Sequence, residues 1–145
     1  MIAPDTNLLL YAYSPESAHH KAARAWLEKT LSGYESVGFP LPVLHAFIRL
    51  LTHPTIAGRI VTLESALDIV DDWLALPQVS VLLPGDGHWR LLKSAATEGH
   101  AAANLFPDAA IAAIAIEHGA TVHTNDRDFA RFPGLRWHNP LTPTR

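Results

Sequence analysis

The order of apolar and polar residues along this chain predicts short buried strands that alternate with helices. The first apolar run, MIAP, is typical of a short buried strand that ends at Pro4. Later apolar runs predict further strands over 34–39, 79–83 and 120–124. Apolar residues at helical spacing predict helices over 17–31, 42–51, 63–76, 86–98 and 105–118. This alternation implies an α/β fold, with a central and mostly parallel sheet that helices flank on both faces.

The helix boundaries follow from capping and turn residues. Ser17 is a suitable N-cap for the first predicted helix, and Gly33 suits the position just past its end. Residues 52–62 have turn chemistry and predict an exposed connection, after which Thr62 begins the next helix. The apolar stripe predicted for that helix consists of Leu63, Ala66, Leu67, Val70, Trp73 and Leu74.

The predicted helix over 105–118 is apolar nearly all round, which indicates a buried helix. Asp108 lies in its first turn, where a helix N-terminus favours a carboxylate by roughly 0.3–1 kcal/mol. Burial of an unpaired carboxylate costs several kcal/mol, so this interaction alone does not compensate for it. Asp108 therefore has either a charged partner or the role of a capping carboxylate that stays in water.

Composition limits the classes of protein that are compatible with this pattern. The chain has 145 residues and is 48% hydrophobic, which suits one compact domain over 1–145. It has no cysteine, which excludes disulfides, thiolate zinc sites and cysteine nucleophiles. The net charge of −3 argues against a general basic surface for nucleic acid. Neither a membrane-spanning stretch nor a signal peptide is recognisable, so we expect a soluble cytoplasmic protein without a membrane partner.

Four carboxylates are predicted to meet at one edge of the sheet. Asp5 follows the first strand, and Asp126 and Asp128 follow the last strand that the pattern predicts. Residues just past the carboxyl ends of parallel strands lie where ligands bind, and Asp108 would join them there. Such a cluster is repulsive without a cation, and Mg²⁺ or Mn²⁺ prefers carboxylate and water ligands. The alternative for Asp5 is a turn residue that binds its own backbone.

Neutral and basic side chains flank these acids. Thr6 and Asn7 could orient Asp5 or contact a substrate phosphate, and Arg127 and Arg131 could bind neighbouring phosphates. Ordinary surface arginines are the alternative for the last two. A separate acidic group lies opposite the apolar stripe of its helix and is predicted to be a solvated face; it consists of Asp68, Asp71 and Asp72.

With these residues in hand, the chain resembles the PIN-domain family, and within it the VapC-type toxins of bacterial toxin–antitoxin pairs. The matching segments are DTNLLLYA, FIRLLTHP, ALDIVDDWLALPQVSVLLPG and NLFPDAAIAAIAIEHGATVHTNDRDFARFPGLRWHNPL. The resemblance implies a three-layer PIN-like sandwich and Mg²⁺- or Mn²⁺-dependent cleavage of RNA. It also implies a cognate antitoxin of a type II pair as partner, and a homodimer.

The resemblance assigns roles to the acids. Asp5 and Asp108 match the two most regular metal-binding aspartates of the family. Asp126 matches its third acidic position, and Asp128 matches a fourth. The expected reaction is metal-assisted hydrolysis of a phosphodiester bond, in which Asp5 and Asp108 hold the principal ion. Asp126, with Asp128 near it, would then bind or orient a second ion or its water.

One departure from the family leaves an alternative open. The family commonly has a glutamate just before a Phe-x-Arg segment, and here His45 or Ala46 stands in its place. A PIN-like domain that binds RNA or protein without efficient cleavage is therefore the second hypothesis. A phosphatase with Asp5 as nucleophile would need a second aspartate two residues later, and this chain has Asn7 there.

Overall fold

A five-stranded parallel sheet forms the centre of the molecule. The computed structural model describes residues 1–57 and 60–142, and within them the strand order is β3-β2-β1-β4-β5. Every neighbouring pair is parallel. The strands are β1 (Ile2–Pro4), β2 (Val37–Pro40), β3 (Val79–Leu82), β4 (Thr121–His123) and β5 (Trp137–His138).

Helices flank this sheet and confirm the predicted α/β sandwich. The helices of the described residues are α1 (Thr6–Ala12), α2 (His20–Ser32), α3 (Leu41–Leu51), α4 (Pro54–Ala57), α5 (Leu63–Leu74), α6 (His88–Glu98) and α7 (Phe106–Glu117). Two short 3₁₀ turns cover Ala103–Leu105 and Arg127–Arg131. None of the described helices is long and apolar enough to cross a membrane.

The central position of β1 determines where the chain places its first acid. Pro4 ends β1 and pairs with His123 of β4, and the N–H of Asp5 then donates to the carbonyl of His123 at 2.9 Å. Residues from opposite ends of the sequence are thereby fixed side by side at one edge of the sheet.

Helix α7 is buried as its composition predicts. Pro107 lies in its first turn, where the missing N–H costs no hydrogen bond. Small residues dominate the helix and allow it to pack closely against α6 and against strands β2 and β4. Its buried residues are Ala109, Ile111, Ala112, Ala113, Ile114 and Ala115.

Several predicted boundaries need correction. Helix α2 begins at His20 instead of Ser17, because the Ser17 hydroxyl accepts the N–H of His19 and so supports the turn that precedes the helix. The apolar stripe of α5 is narrower than predicted, since Leu63 and Leu67 are 58% and 47% exposed. Strand β3 lies at the edge of the sheet, so only Leu82 of its residues is buried.

The predicted connection over 52–62 contains the short helix α4, and its residues 58 and 59 lie outside the described residues. The predicted caps at Gly33 and Thr62 are present. Thr62 accepts the N–H of Ser65 at 3.1 Å, and Gly33 directly follows α2. The three aspartates predicted to form a solvated face of α5 are exposed.

Candidate active site at the carboxyl edge of the sheet

Asp5 is the most deeply buried acid in the described part of the chain. Only 4% of its surface is exposed, and it is the N-cap of α1, with Oδ1 accepting the N–H of Thr6 at 2.8 Å. Burial raises the pKa of Asp5, the hydrogen bonds from Thr124 and Thr6 lower it, and the charge of Asp126 raises it further. Asp5 therefore binds its own backbone, as its alternative predicted, but it does so as a helix cap and with only one of the two carboxylate oxygens.

The second oxygen of Asp5 is bound by a residue that the sequence analysis did not identify. Thr124 is fully buried, and its Oγ1 donates to Asp5 Oδ2 at 2.8 Å. The same Oγ1 accepts the N–H of Asp126 at 2.9 Å. One hydroxyl therefore fixes the orientation of Asp5 and the backbone at Asp126. In the sequence, Thr124 could have been identified from its position in the segment HTND, next to the acids and at the end of a predicted strand.

Asp108 lies close enough to the other acids for their charges to affect it. It is the third residue of α7 and is half-buried. Burial raises its pKa to about 7, with further contributions from the charges of Asp5, Asp126 and Asp128, while Arg131 lowers it. No hydrogen bond caps the helix through the Asp108 side chain among the described residues, so the capping alternative is not supported.

Asp126 and Asp128 form the outer side of the group. Asp126 is the N-cap of the turn Arg127–Arg131, with Oδ1 accepting the N–H of Asp128 at 2.8 Å. Asp128 Oδ1 lies 3.4 Å from Arg131 Nη2. Arg131 also donates from Nη1 to the carbonyl of Gly99 at 2.8 Å, while its buried Nε lacks a partner in the described residues. Internal contacts therefore hold most of this guanidinium.

The other predicted site residues differ in how accessible they are. The Thr6 side chain is buried, so its contact with the site is through its backbone N–H. Asn7 is partly exposed and Arg127 is exposed, so either is accessible to a ligand. In helix α3, His45 is exposed and Ala46 is half-buried.

The four acids have the donor chemistry of a site for a hard divalent cation. The ion pairs within 4 Å among the described residues include only one of these acids, Asp128. Among the described residues, Asp5, Asp108 and Asp126 therefore have no basic side chain within 4 Å. As they stand, no three histidine, cysteine or acidic side chains in the described residues are placed to hold one ion. The charges of Asp5, Asp126 and Asp128, which raise the pKa of Asp108, nevertheless favour a cation at this edge.

A profile of the PIN-domain family matches residues 2–135. The chain belongs to the PIN-domain family. This assignment agrees with the resemblance that its motifs indicated.

Curated relatives of this PIN domain cover nearly the whole chain. Ribonuclease VapC37 of Mycobacterium tuberculosis is 42% identical over 136 residues, which are 94% of this chain and 94% of that protein. Ribonuclease VapC33 of the same species is 36% identical, over 97% of this chain and 99% of that protein.

Solved structures share the fold at lower identity. VapBC2 from Rickettsia felis, bound to a promoter DNA fragment, contains a chain with a TM-score of 0.70 and 22% identity, and the match covers 96% of this chain and 98% of that one. Mycobacterium tuberculosis VapC20, a toxin that cleaves the sarcin–ricin loop, has a TM-score of 0.68 and 19% identity. The match covers 94% of this chain and 99% of that one.

Proposed function

We propose that this PIN domain is an endoribonuclease and the toxin of a type II toxin–antitoxin pair. The observation that carries the proposal is the group of carboxylates around Asp108, whose pKa is raised to about 7 by burial and by three other acids. A surface that serves only for binding has no need to hold like charges together. The ribonuclease names of its curated relatives support the same activity.

The oxygen donors of these residues are of the kind that Mg²⁺ or Mn²⁺ prefers. Asp5 and Asp108 would hold the principal ion, and Asp126 with Asp128 would bind or orient a second ion or its water. When bound, such an ion lowers the pKa of a water ligand and neutralises the charge that develops on the phosphate. The chain itself supplies orientation, because Thr124 holds Asp5 in place before any ion binds.

Basic and neutral residues at the rim would position the RNA backbone. Arg127 is exposed beside Asp126 and Asp128 and is free to contact a neighbouring phosphate. Arg131 would act mainly by holding Asp128, since Gly99 and Asp128 already occupy its terminal nitrogens. Asn7 is the neutral donor best placed for the substrate, while buried Thr6 would act on Asp5.

One observation favours a second function, a PIN-like domain that binds RNA or protein and cuts weakly or not at all. The family glutamate is missing, with exposed His45 or half-buried Ala46 in its place. A site with one fewer carboxylate would have a lower affinity for a metal ion. This alternative predicts RNA binding that does not depend on a divalent ion.

We also propose that a cognate antitoxin covers the carboxylates with a basic or aromatic segment, and that the chain forms a homodimer in the cytoplasm. The support is that its structural neighbours include toxin–antitoxin complexes, such as VapBC from Rickettsia felis and from Salmonella typhimurium. Purification from the native cell should bring down a second protein. A partner-free chain whose expression is harmless would contradict the toxin assignment.

The activity is tested by incubating the purified chain with structured RNA in Mg²⁺, in Mn²⁺ and in chelator. The proposal expects cleavage in either metal and none in chelator. The matched variant Asp108→Asn keeps the shape of the side chain and should not cut. Binding of RNA without cleavage under all three conditions would favour the alternative function.

A further inference from the structure

A groove lies between α2 and the strands β1, β4 and β5. Its volume is about 620 Å³, which is within the roughly 300–1,000 Å³ of small-molecule pockets. Its walls include the rings of Trp26, His123 and His138, and Ala22 and Ala25 of α2 lie along its edge. Both alanines are exposed, so their small side chains leave the groove open. We refer to it as the Trp26 groove.

The Trp26 groove is adjacent to the carboxylates through the backbone of β4. The His123 carbonyl accepts the N–H of Asp5, and the next residue, Thr124, binds the Asp5 side chain. Consecutive Cα atoms are about 3.8 Å apart, and successive side chains of a strand point to opposite faces. Thr124 therefore faces the acids while His123 faces the groove. A polymer bound at the acids would pass over the carboxyl end of β4 to place its neighbouring unit in the groove.

The hydrogen bond in the wall of the groove determines which polar atom a ligand would meet. The indole Nε1 of Trp26 lies 3.3 Å from Nδ1 of His123, and an indole nitrogen can only donate. Nδ1 is therefore the acceptor, so the proton of the neutral imidazole is on Nε2. No described residue accepts a hydrogen bond from Nε2.

The rings of the groove present flat faces as well as this donor. The ring centroids of Trp26 and His123 are 5.9 Å apart, and those of His123 and His138 are 5.2 Å apart. Flat aromatic faces are stacking platforms for nucleobases of any kind, and base-edge oxygens and ring nitrogens accept from an N–H donor. The lining carries one positive and one negative side chain, exposed Lys29 and exposed Glu35.

We propose that the Trp26 groove holds one unpaired nucleobase of the RNA chain whose backbone lies at the carboxylates. The inference rests on the proposed ribonuclease function and names the part of the substrate that is read beside the cut. A nucleobase is favoured over a protein side chain because the groove adjoins the site where RNA phosphates would bind.

Binding to RNA with and without bases tests this assignment. The full chain carrying Asp108→Asn, which should not cut, is titrated with short single-stranded RNAs of A or of U and with an abasic chain of equal phosphate number. Stacking of one base predicts that the natural RNAs bind about tenfold tighter than the abasic chain. Ala25→Phe, added to this protein, fills the groove from an exposed position and should remove that tenfold difference.

Ala75→Phe is the matched control, because Ala75 is also exposed and lies at the end of α5, away from the groove lining. It should keep the tenfold difference. Thermal melts verify that both variants fold. Equal preference for natural over abasic RNA in the two variants would overturn the assignment. Loss of a co-purifying protein from Ala25→Phe, with RNA binding unchanged, would overturn it in favour of a protein contact.

Cleavage assays separate this inference from the proposed function. With Asp108 restored, wild type and Ala75→Phe should cut structured RNA equally, and Ala25→Phe should have a lower kcat/KM and a changed base preference at the cut. Cleavage by all three with the same base preference would overturn the groove assignment and leave the ribonuclease intact. Absence of metal-dependent cleavage in wild type would refute the function, while the abasic comparison would still decide whether the groove binds a base.

Discussion

Thr124 and Asp5 are 119 positions apart in the sequence, and a buried hydrogen bond of 2.8 Å joins their side chains. The same threonine hydroxyl accepts the N–H of Asp126. A single hydroxyl therefore connects the acid after β1 with the acid after β4. It orients both before any cation is present.

Removal of that hydroxyl should weaken both the fold and the activity. Thr124→Val keeps the shape and leaves the N–H of Asp126 and an oxygen of Asp5 without their partner. The loss should cost about 1–3 kcal/mol of unfolding free energy. Loss of a residue that orients a metal ligand typically lowers metal affinity or activity about 10–100-fold. Thr124→Ser retains the hydroxyl and should stay near wild type in melts and cleavage assays. Valine and serine variants of equal activity would show that the hydroxyl is not needed.

Replacement of an acid at the edge of the sheet should affect cleavage far more than replacement of an acid on a helix surface. Asp5→Asn and Asp108→Asn should each abolish cleavage, because each removes a carboxylate proposed to bind the principal ion. Asp71→Asn is the control, since Asp71 is exposed on α5. Initial rates on one structured RNA in Mn²⁺ measure all three. A similar loss in the Asp71 variant would mean that the wrong acids were assigned.

The raised pKa of Asp108 predicts a stability that depends on pH when metal is absent. Its pKa is about 7 in the folded chain and 3.8 ordinarily. Between these values the folded chain keeps a proton that the unfolded chain releases, so this contribution to stability falls as pH rises. It is fully present below about pH 4 and lost above about pH 7. Asparagine does not titrate, so Asp108→Asn should melt higher than wild type above pH 7 in chelator.

Metal should reduce or reverse the difference in melting temperature between Asp108→Asn and wild type. An ion at 100 times its Kd adds about 2.7 kcal/mol to the protein that binds it, and only wild type should gain this much. Each kcal/mol of unfolding free energy moves the midpoint of thermal unfolding by roughly 2–8 °C in a domain of this size. Thermal melts in chelator and in Mn²⁺ therefore resolve the difference between the two proteins. A drop for Asp108→Asn that is the same at every pH and in both buffers would indicate a purely structural role.

A carboxylate in helix α3 should strengthen metal binding. Helix α3 packs against α1 and α7, the helices that begin beside Asp5 and carry Asp108. Ala46→Glu places an acid at a half-buried position and should lower the Kd for Mn²⁺ in calorimetric titration. His45→Glu, at an exposed position, is the control and should have a smaller effect. Unchanged binding in Ala46→Glu would mean that this part of α3 does not face the acids.

The longer elements of the fold were predictable from the sequence because their patterns are long. Helix α7 carries enough consecutive apolar residues to indicate burial on its own, and its end residues mark where it stops. Helix α1 has only seven residues, and its cap Asp5 was interpreted solely as a turn residue or a metal ligand. Strand β5 has two residues, which is too short for any alternation to appear.

The acids of the site were predictable from their positions after strands, but the contacts between them were not. Asp5, Asp108, Asp126 and Asp128 are brought to one edge, as the parallel sheet requires. The bridge through Thr124 depends on the register between β1 and β4, which the sequence does not reveal. Likewise, Arg131 looked like a free cation in the sequence, whereas the Gly99 carbonyl and Asp128 hold it in the structure. The metal-binding and substrate-binding roles of these residues remain predictions.

The pairing of β1 with β4 also has a consequence for synthesis of the chain. Asp5 is made 119 residues before Thr124, to which its side chain binds. A nascent chain that has not yet extended to residue 121 carries Asp5 and Asp108 but lacks β4, the strand that pairs with β1. If these carboxylates form the proposed metal site, that site can assemble only after β4 has been made and has docked beside β1.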